Sequence, residues 1–324
     1  MNRTLKTILI LAACLIAAGL IVFAAAYFIS GGDLSKLQPA DYKEVTYPIE
    51  GEFSNVDIDV DVSGIEFRIS EDGSAKAVCF ETEKHPHRVT VEDGTLHIVC
   101  RYSSSFADNL MNWGVFQAPR VTVYLPNAEL NKLKIQTDTG KAAIPSGVSV
   151  SDVSVKGDTG RVTIGAIEAK TISIALSTGD ITIDGAKTDV LAAGCTTGSI
   201  VLMNIEAAEG VLAQTDTGAI AITGLTAETL HASTDTGAVG LKDTEISLSM
   251  KVATDTGMVV LDRCGAGSME ITTDTGSVRG TLTTRMSFDA RSSMGSVRVP
   301  ESDPSGGSAK ITTDTGSIKI EYAE

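Results

Sequence analysis

Residues 215–257 have the sequence TDTGAIAITGLTAETLHASTDTGAVGLKDTEISLSMKVATDTG, in which Thr-Asp-Thr-Gly occurs three times. Between these motifs apolar and polar residues alternate, as at Ile220 and Ile222 and again at Leu230 and Ala232. Alternation with a period of two is typical of strands that bury one face. Each repeat therefore predicts two short strands separated by a turn and closed by an Asp-Thr-Gly corner.

The same motif, or a close variant, recurs along the chain at intervals of 19 to 21 residues. The glycines that mark the repeats are Gly140, Gly160, Gly179, Gly198, Gly218, Gly237, Gly257, Gly276, Gly295 and Gly316. One repeat cannot bury its apolar row alone, whereas stacked repeats align like side chains and pair their backbones with the neighbouring coils. The sequence therefore predicts an all-β fold, a parallel β-solenoid of about ten coils over residues 127–324.

Residues 51–126 precede the repeats and have a different pattern. Residues 55–70 alternate strictly, and Val62-Ser63-Gly64 resembles a degenerate corner. Four further segments are predicted to form an antiparallel meander that caps the first coil. They are Lys76–Glu81, Arg88–Val91, Leu96–Arg101 and Val121–Leu125, with Ser103–Ala118 as an exposed loop. At the other end, charged Lys319 and Glu321 are expected to protect the edge of the last strand from further pairing.

The N-terminal segment predicts one transmembrane helix. Residues 8–29 contain no charged side chain, and at about 1.5 Å per residue they span roughly 33 Å, enough for a bilayer core. Arg3 and Lys6 precede this segment, so the positive-inside rule places residues 1–7 in the cytoplasm and the C-terminal domain outside the cell. Residues 30–50 are predicted to be a linker. Two alternatives stay open: cleavage of a signal peptide near Ala24–Ala26, and lipidation of Cys14 in a Leu-Ala-Ala-Cys box.

Composition argues against several classes of function. The chain of 324 residues has 41 acidic and 26 basic residues, a net charge of −15, which disfavours binding to nucleic acid. It contains four His and one Trp, and few aromatic residues follow Val121. An enzyme acting on polysaccharide usually needs an aromatic platform and inserted loops, so we expect no enzymatic activity.

The Asp-Thr-Gly motif is also the signature of aspartic proteases, whose two carboxylates share one proton. Here it recurs at successive corners that face the same side, which favours a role in turn formation, with Asp accepting backbone hydrogen bonds and Gly supplying a positive φ. Ser177, Thr196 and Ser293 replace Asp in three repeats. A ladder of carboxylates is nevertheless a candidate calcium site. Its members are Asp138, Asp158, Asp216, Asp235, Asp255, Asp274 and Asp314.

Three smaller features remain as candidates. Cys79 and Cys100 lie on neighbouring predicted strands and are candidates for a disulfide, although apolar Val78 and Phe80 suggest that Cys79 faces outward. The His85-Pro86-His87 triplet is a candidate metal ligand set or, more simply, an exposed turn. Trp113 and Phe116 are candidates for a partner-binding tip or for packing against the cap.

The order of these features resembles the bacterial putative-adhesin family. The resemblance covers residues 5–324: a basic N-terminus, an apolar segment, a Ser-Gly corner, the Val-Tyr-Leu-Pro sequence of Val123–Pro126, and many Thr-Asp-Thr-Gly coils. It implies a bacterial β-solenoid envelope protein of otherwise unknown function, with some members connected to envelope-stress signalling. That family has no agreed functional residues, so catalytic, cofactor-binding and metal-binding residues are all predicted as none.

Two functions are therefore expected. The first is a membrane-anchored surface interaction module that presents the solenoid to a protein or glycan. The alternative is a regulatory or scaffolding protein of the cell envelope. Because the predicted cytoplasmic tail of residues 1–7 is too short to signal alone, the alternative requires a second membrane protein.

Overall fold

The structure, a computed structural model, describes residues 3–29, 42–83, 85–101 and 119–323. In this part of the chain one helix precedes 21 strands, which join in a single sheet. The elements are α1 (Arg3–Ile29), β1 (Lys43–Pro48), β2 (Asn55–Val62), β3 (Gly64–Ile69), β4 (Lys76–Glu81), β5 (Arg88–Glu92), β6 (Thr95–Cys100), β7 (Arg120–Leu125), β8 (Glu129–Ile144), β9 (Val148–Ile164), β10 (Ile167–Thr178), β11 (Ile181–Asp184), β12 (Ala186–Thr197), β13 (Ile200–Thr217), β14 (Ile220–Thr236), β15 (Val239–Thr256), β16 (Val259–Thr275), β17 (Val278–Leu282), β18 (Met286–Met294), β19 (Val297–Arg298), β20 (Gly307–Thr315) and β21 (Ile318–Tyr322).

Helix α1 covers the segment predicted to cross the membrane. Its side chains are described without a break only for residues 15–25, and these are exposed. Among the residues that the structure describes, no helix is both long enough and apolar enough to span a bilayer. The transmembrane helix over residues 8–29 thus stays a prediction, and Cys14 and Ala26 lie outside the described side chains.

Neighbouring coils pair in parallel, offset by one repeat. Between β14 and β15, Ile220 is in register with Val239 and Leu230 with Met250. The pairing of β15 with β16 repeats this register one coil further on. Because each strand meets the equivalent strand of the next coil, nearly every backbone group finds a partner by simple translation. The predicted parallel β-solenoid is confirmed.

The core consists of columns of like side chains. In the inner coils, residues two and four positions after the corner glycine point inward, and Ile220 and Ile222 are both 1% exposed. Residues five and seven positions before it do the same, as shown by the burial of Ala232 and Leu230. Aliphatic, methionine and alanine side chains of neighbouring coils stack in these columns and fill the interior, whereas Val297 of the outermost coil is 39% exposed.

The N-terminal region is more solenoid-like than its sequence predicts. Strands β2 and β3 pair in parallel with β8, which makes residues 55–69 a coil that turns at Ser63. Strands β6 and β7 then stack in parallel on β2 and β3. The Ser-Gly corner is confirmed. The predicted antiparallel meander is confirmed only for the β5–β6 and β4–β7 pairs, because β6 and β7 pair in parallel with β2 and β3 on their other side. Strict alternation fits parallel and antiparallel pairing equally well, so the pattern alone did not distinguish them.

Only three strands of this end are antiparallel. Strand β4 pairs with β7 on one side and with β1 on the other, and β5 pairs with β6. Together they cover the edge of the outermost N-terminal coil. Strand β1 lies within residues 30–50, the predicted linker. Trp113 and Phe116, in the predicted Ser103–Ala118 loop, lie outside the described residues.

At the C-terminal end the last two coils are exchanged relative to their order in the chain. The final strands β20 and β21 pair with β16 and β17, and β18 and β19 lie on their outer side. The chain therefore builds the outermost coil first and then returns to fill the position beneath it. Lys319 and Glu321 accordingly lie on an inner strand, and the expectation that they protect an edge is wrong.

The segment that returns the chain covers the beginning of the exposed edge. The backbone N–H of Asp303 donates to the carbonyl of Met286 at 3.0 Å, and the N–H of Phe288 donates to the Ser302 hydroxyl at 3.0 Å. These bonds supply partners that a further coil would otherwise provide.

Candidate functional site

The corner motif is held together by its first threonine. This residue is buried, and its hydroxyl donates to the carbonyl of the corner glycine in the adjacent coil at 2.9–3.1 Å. The residues concerned are Thr215, Thr234, Thr254, Thr273 and Thr313. Ser292 makes the equivalent bond to Gly316. Thr137 is an exception, because its hydroxyl is buried and has no hydrogen-bond partner among the described residues. Sequence reasoning missed this role because it placed threonine at a half-exposed strand end.

The corner glycine is required by close approach between coils. A Cβ atom on Gly237 would lie 1.9 Å from the Gly218 carbonyl oxygen, and one on Gly257 would lie 1.8 Å from that of Gly237. The predicted positive φ is found at Gly237 (158°) but not at Gly257, which makes the same close approach, so close approach rather than backbone conformation is common to the corners. The glycine therefore lets successive corners stack at the spacing set by the sheet.

The corner aspartates do not converge in a group of three among the described residues. All seven, from Asp138 to Asp314, are exposed, and none accepts the predicted hydrogen bond from the backbone two residues on among the hydrogen bonds of the described residues. Among the described residues a single group of three potential ligands converges, and it lies elsewhere in the fold. The corner Asp is therefore a solvated charge on a turn that threonine and glycine build.

A groove of about 880 Å³ crosses the coils of the N-terminal half of the solenoid. At the C-terminal part of the groove the strand register shifts between Thr188 and Val190 and again between Ala207 and Gly210. Such bulges bend a strand and redirect its side chains. Leu130 and Val150 lie on its apolar floor.

The rim of the groove carries one exposed side chain from each of five successive coils. In register these are Glu129, Ser149, Glu168, Lys187 and Glu206. At about 4.8 Å per coil the row is roughly 19 Å long. Lys170 also lines the groove, so its surface presents positively charged lysines, negatively charged carboxylates and hydroxyl groups. Its lining includes no His, Cys or Tyr, and its charged side chains are carboxylates and the ammonium groups of lysines.

A second cluster is buried at the N-terminal end. Cys79 and Glu81 face inward from β4, and His87 lies just before β5. They are 0%, 6% and 4% exposed, and one potential ligand atom from each lies within 4.8 Å of the other two. His87 is therefore not part of the exposed turn that the His-Pro-His triplet suggests.

Glu81 organises this cluster through both carboxylate oxygens. Its Oε2 accepts the backbone N–H of His87 at 2.7 Å and lies 2.8 Å from the Nδ1 of the same residue. Its Oε1 accepts the hydroxyl of Tyr47 at 2.6 Å. The other ring nitrogen of His87, Nε2, is buried and has no hydrogen-bond partner.

Burial keeps the neighbours of Glu81 neutral. It raises the pKa of the Cys79 thiol strongly, with a further contribution from the charge of Glu81. It raises the pKa of Cys100 to about 11 in the same way. It lowers the pKa of His87, although the Glu81 carboxylate opposes that shift.

The orientation of the thiols differs from the prediction. Cys79 and Cys100 are both buried, so they face the same interior, and both are free thiols. The apolar residues Val78 and Phe80 misled the assignment because the outer face of β4 is also covered. The Phe80 ring stacks on Tyr42 at 5.1 Å, and the Arg120 guanidinium lies over its other side.

The fold and these sites define a repeat protein of the β-solenoid class. The Toastrack DUF4097 family model matches residues 53–216 and 208–324, and the chain therefore belongs to that family. This confirms the family resemblance of the sequence. No curated protein matches the chain.

The chain is also similar to several solved structures at low sequence identity. A putative adhesin from Bacteroides fragilis is 18% identical over 88% of this chain and 99% of its own, with a TM-score of 0.46. A putative adhesin from Parabacteroides distasonis is 12% identical over 87% and 98%, with a TM-score of 0.45. A putative lipid binding protein from Parabacteroides distasonis is 15% identical over 88% and 98%, with a TM-score of 0.42.

Proposed function

We propose that this protein is a non-catalytic interaction module of the bacterial envelope. Residues 8–29 anchor it in the membrane, the solenoid lies outside the cell, and the groove binds an extended segment of a protein or glycan. The groove is the observation that carries this proposal. It repeats similar positions at the spacing of the coils, which suits a partner that is itself an extended chain with regularly spaced polar groups.

The chemistry of the groove supports binding rather than catalysis. Carboxylates at Glu129, Glu168 and Glu206 and ammonium groups at Lys170 and Lys187 offer charge pairs and hydrogen bonds to a partner. Among the groove's lining residues no histidine or cysteine accompanies the hydroxyl groups, which favours binding over the common Ser–His or Cys–His catalytic pairs. The acidic solenoid also repels phosphate backbones, which supports the exclusion of nucleic acid.

A second role, regulation or scaffolding through a membrane partner of the same cell, is favoured by the position of the groove in the chain. Its lining extends from Phe53 to Thr226, the half of the solenoid that follows the apolar segment. A partner embedded in the same membrane would reach this half before the C-terminal coils.

Photo-crosslinking in intact cells tests both roles. A photoreactive amino acid replaces Glu168 in the groove or, as the matched control, exposed Thr163 in the preceding coil. We expect discrete crosslinked products from position 168 and few from position 163. Wall glycan or an external protein in those products supports the surface module, and an integral membrane protein supports the regulatory role. Equal yields from the two positions, or none from either, contradict a function of the groove.

Anchoring is tested separately by extraction of membranes at alkaline pH. We expect the full-length protein to stay with the membrane pellet and a variant lacking residues 3–29 to be released. Release of the full-length protein contradicts the anchor.

A further inference from the structure

The buried cluster of Cys79, Glu81 and His87 has features that the solenoid itself does not explain. Similar coils are stabilised by apolar columns and threonine bonds, yet here a thiol, a carboxylate and an imidazole occupy the interior. Buried polar groups without partners are costly, and each therefore needs a structural or functional reason.

His87 has the orientation that a metal ligand needs. A carboxylate oxygen only accepts hydrogen bonds, so the contact with Glu81 Oε2 places the proton of the neutral ring on Nδ1. Nδ1 of His87 and Oε2 of Glu81 thus face each other at 2.8 Å, and a metal ion bound by both atoms would replace the proton between them. Nε2 has no hydrogen-bond partner among the described residues, so the proton of the neutral ring can then reside on Nε2.

Glu81 lacks the cation that a buried carboxylate requires. Its one ion pair among the described residues is with His87 at 2.8 Å, and that ring carries a charge only when it is protonated. No lysine or arginine of the described residues pairs with it. A divalent cation would compensate the charges of Glu81 and of a Cys79 thiolate together.

We propose that Cys79, Glu81 and His87 bind a thiophilic divalent cation of the zinc class. Zinc takes sulfur, nitrogen and oxygen ligands at about 2.0–2.3 Å in tetrahedral geometry, which places the ligand atoms roughly 3.5 Å apart. The three atoms here lie within 4.8 Å of one another, so small movements of the side chains close the site. The metal replaces the proton of the Cys79 thiol, and that proton is released to solvent.

The ligand atoms of this site favour a different metal from the calcium considered for the corner aspartates. Calcium prefers six to eight oxygen ligands, whereas a thiolate and an imidazole favour zinc or cobalt. The cluster also joins β4 to the segment before β5, the two antiparallel strands that cover opposite halves of the outermost coil. Bound metal would therefore fasten the N-terminal end of the solenoid.

Spectroscopy with Co²⁺ as the probe tests the proposal. The full-length protein is purified under reducing conditions, stripped with a chelator and titrated with Co²⁺. We expect one equivalent to bind and to produce the absorption of a cobalt–thiolate bond, which Zn²⁺ then displaces. We also expect the stripped protein to melt a few degrees lower than the Zn²⁺-loaded protein.

Variants assign the signal to residues. Cys79→Ser and His87→Gln should each weaken binding by at least about 100-fold, beyond the effect of losing an outer hydrogen-bond partner. Cys264→Ser and His97→Gln are matched controls from outside the cluster and should bind as the wild type does. Circular dichroism of each variant confirms that it is folded before its binding is compared.

Several results would overturn the proposal. They are the absence of a cobalt–thiolate band in the folded wild-type protein, equal loss of binding in the Cys264→Ser control, and a disulfide between Cys79 and Cys100 in protein isolated from its own envelope without reductant. The last result is read from the intact mass and thiol alkylation.

Discussion

The middle of the solenoid and its two ends obey different rules. In the middle, the coils follow one another in space in the same order as in the chain. From Gly198 to Gly276, successive coils repeat the same threonine and glycine contacts. At each end a segment that is internal in the chain becomes the outermost coil: β6 and β7 at one end, β18 and β19 at the other. A middle coil is stabilised by two neighbours, whereas an outer coil has one and needs another cover.

The ends also differ from each other. Antiparallel strands β4 and β5 cover the N-terminal edge, and the buried cluster lies beneath them. At the C-terminal edge only the segment before β20 crosses the outer strand, and Met294 stays 68% exposed. The buried thiol, carboxylate and imidazole therefore lie at an end of the solenoid, where no further coil is stacked to supply packing and hydrogen-bond partners.

The largest effect should come from a charge in a middle column. Ile220→Asp buries an unpaired carboxylate between coils and should lower the free energy of unfolding by about 4 kcal/mol or more. Ala221→Asp, on the exposed face of the same strand, is the control and should change it little. Denaturant unfolding measures both. Similar stability of the two variants would contradict the assignment of the columns to the core.

Loss of close approach at a corner should have the next largest effect. Gly237→Ala forces its Cβ against the Gly218 carbonyl and should destabilise the protein by about 3 kcal/mol. Gly240 lies in the same coil with open space at its Cβ position, so Gly240→Ala is expected to be near neutral. The comparison of their melting temperatures tests whether the corner, rather than glycine in general, sets the spacing.

The threonine bond should contribute less. Thr234→Val keeps the shape of the side chain but removes the hydrogen bond to Gly218, for an expected loss of about 1 kcal/mol. Thr236→Val alters the exposed threonine of the same motif and serves as the control. If both substitutions cost the same, the first threonine has no special role.

The smallest effect is expected at the corner aspartates. Because their carboxylates do not converge, millimolar Ca²⁺ should not raise the melting temperature more than equal Mg²⁺, in the wild type or in Asp235→Asn. A rise specific to Ca²⁺ that Asp235→Asn abolishes would restore the calcium ladder as a binding site.

The coils were predictable from sequence because each repeats the same physical requirement. Ile220 and Val239 occupy equivalent positions, and ten such repeats leave little ambiguity about period or register. The groove was not predictable, since it is formed by side chains from successive coils and from Phe53 and Ser54 together, which the apolar pattern of a single repeat does not mark. Cys79 was misplaced because alternation identifies the buried face only when the other face is solvated, and Tyr42 and Arg120 cover that of β4. His87 was misplaced because it lies outside any alternating strand, where the sequence carries no burial signal.

The exchange of the last two coils is the point at which the structure departs furthest from a simple stack. Residues 286–298 and 307–322 carry the same pattern, so either is able to follow the coil of Gly276. A longer interval of 21 residues between Gly295 and Gly316, with two prolines near its start, is the one sequence signal of the return path.

Disulfide trapping tests this order of coils most directly. Arg279 is in register with Lys319, and Lys319 is in register with Arg298. Neighbouring strands are about 4.8 Å apart, within reach of a disulfide, whereas strands separated by one other are roughly 10 Å apart and out of reach. Under mild oxidation, the Arg279→Cys/Lys319→Cys protein should form the bond and the Arg279→Cys/Arg298→Cys protein should not. The opposite result would mean that the coils stack in chain order and would contradict the exchanged end.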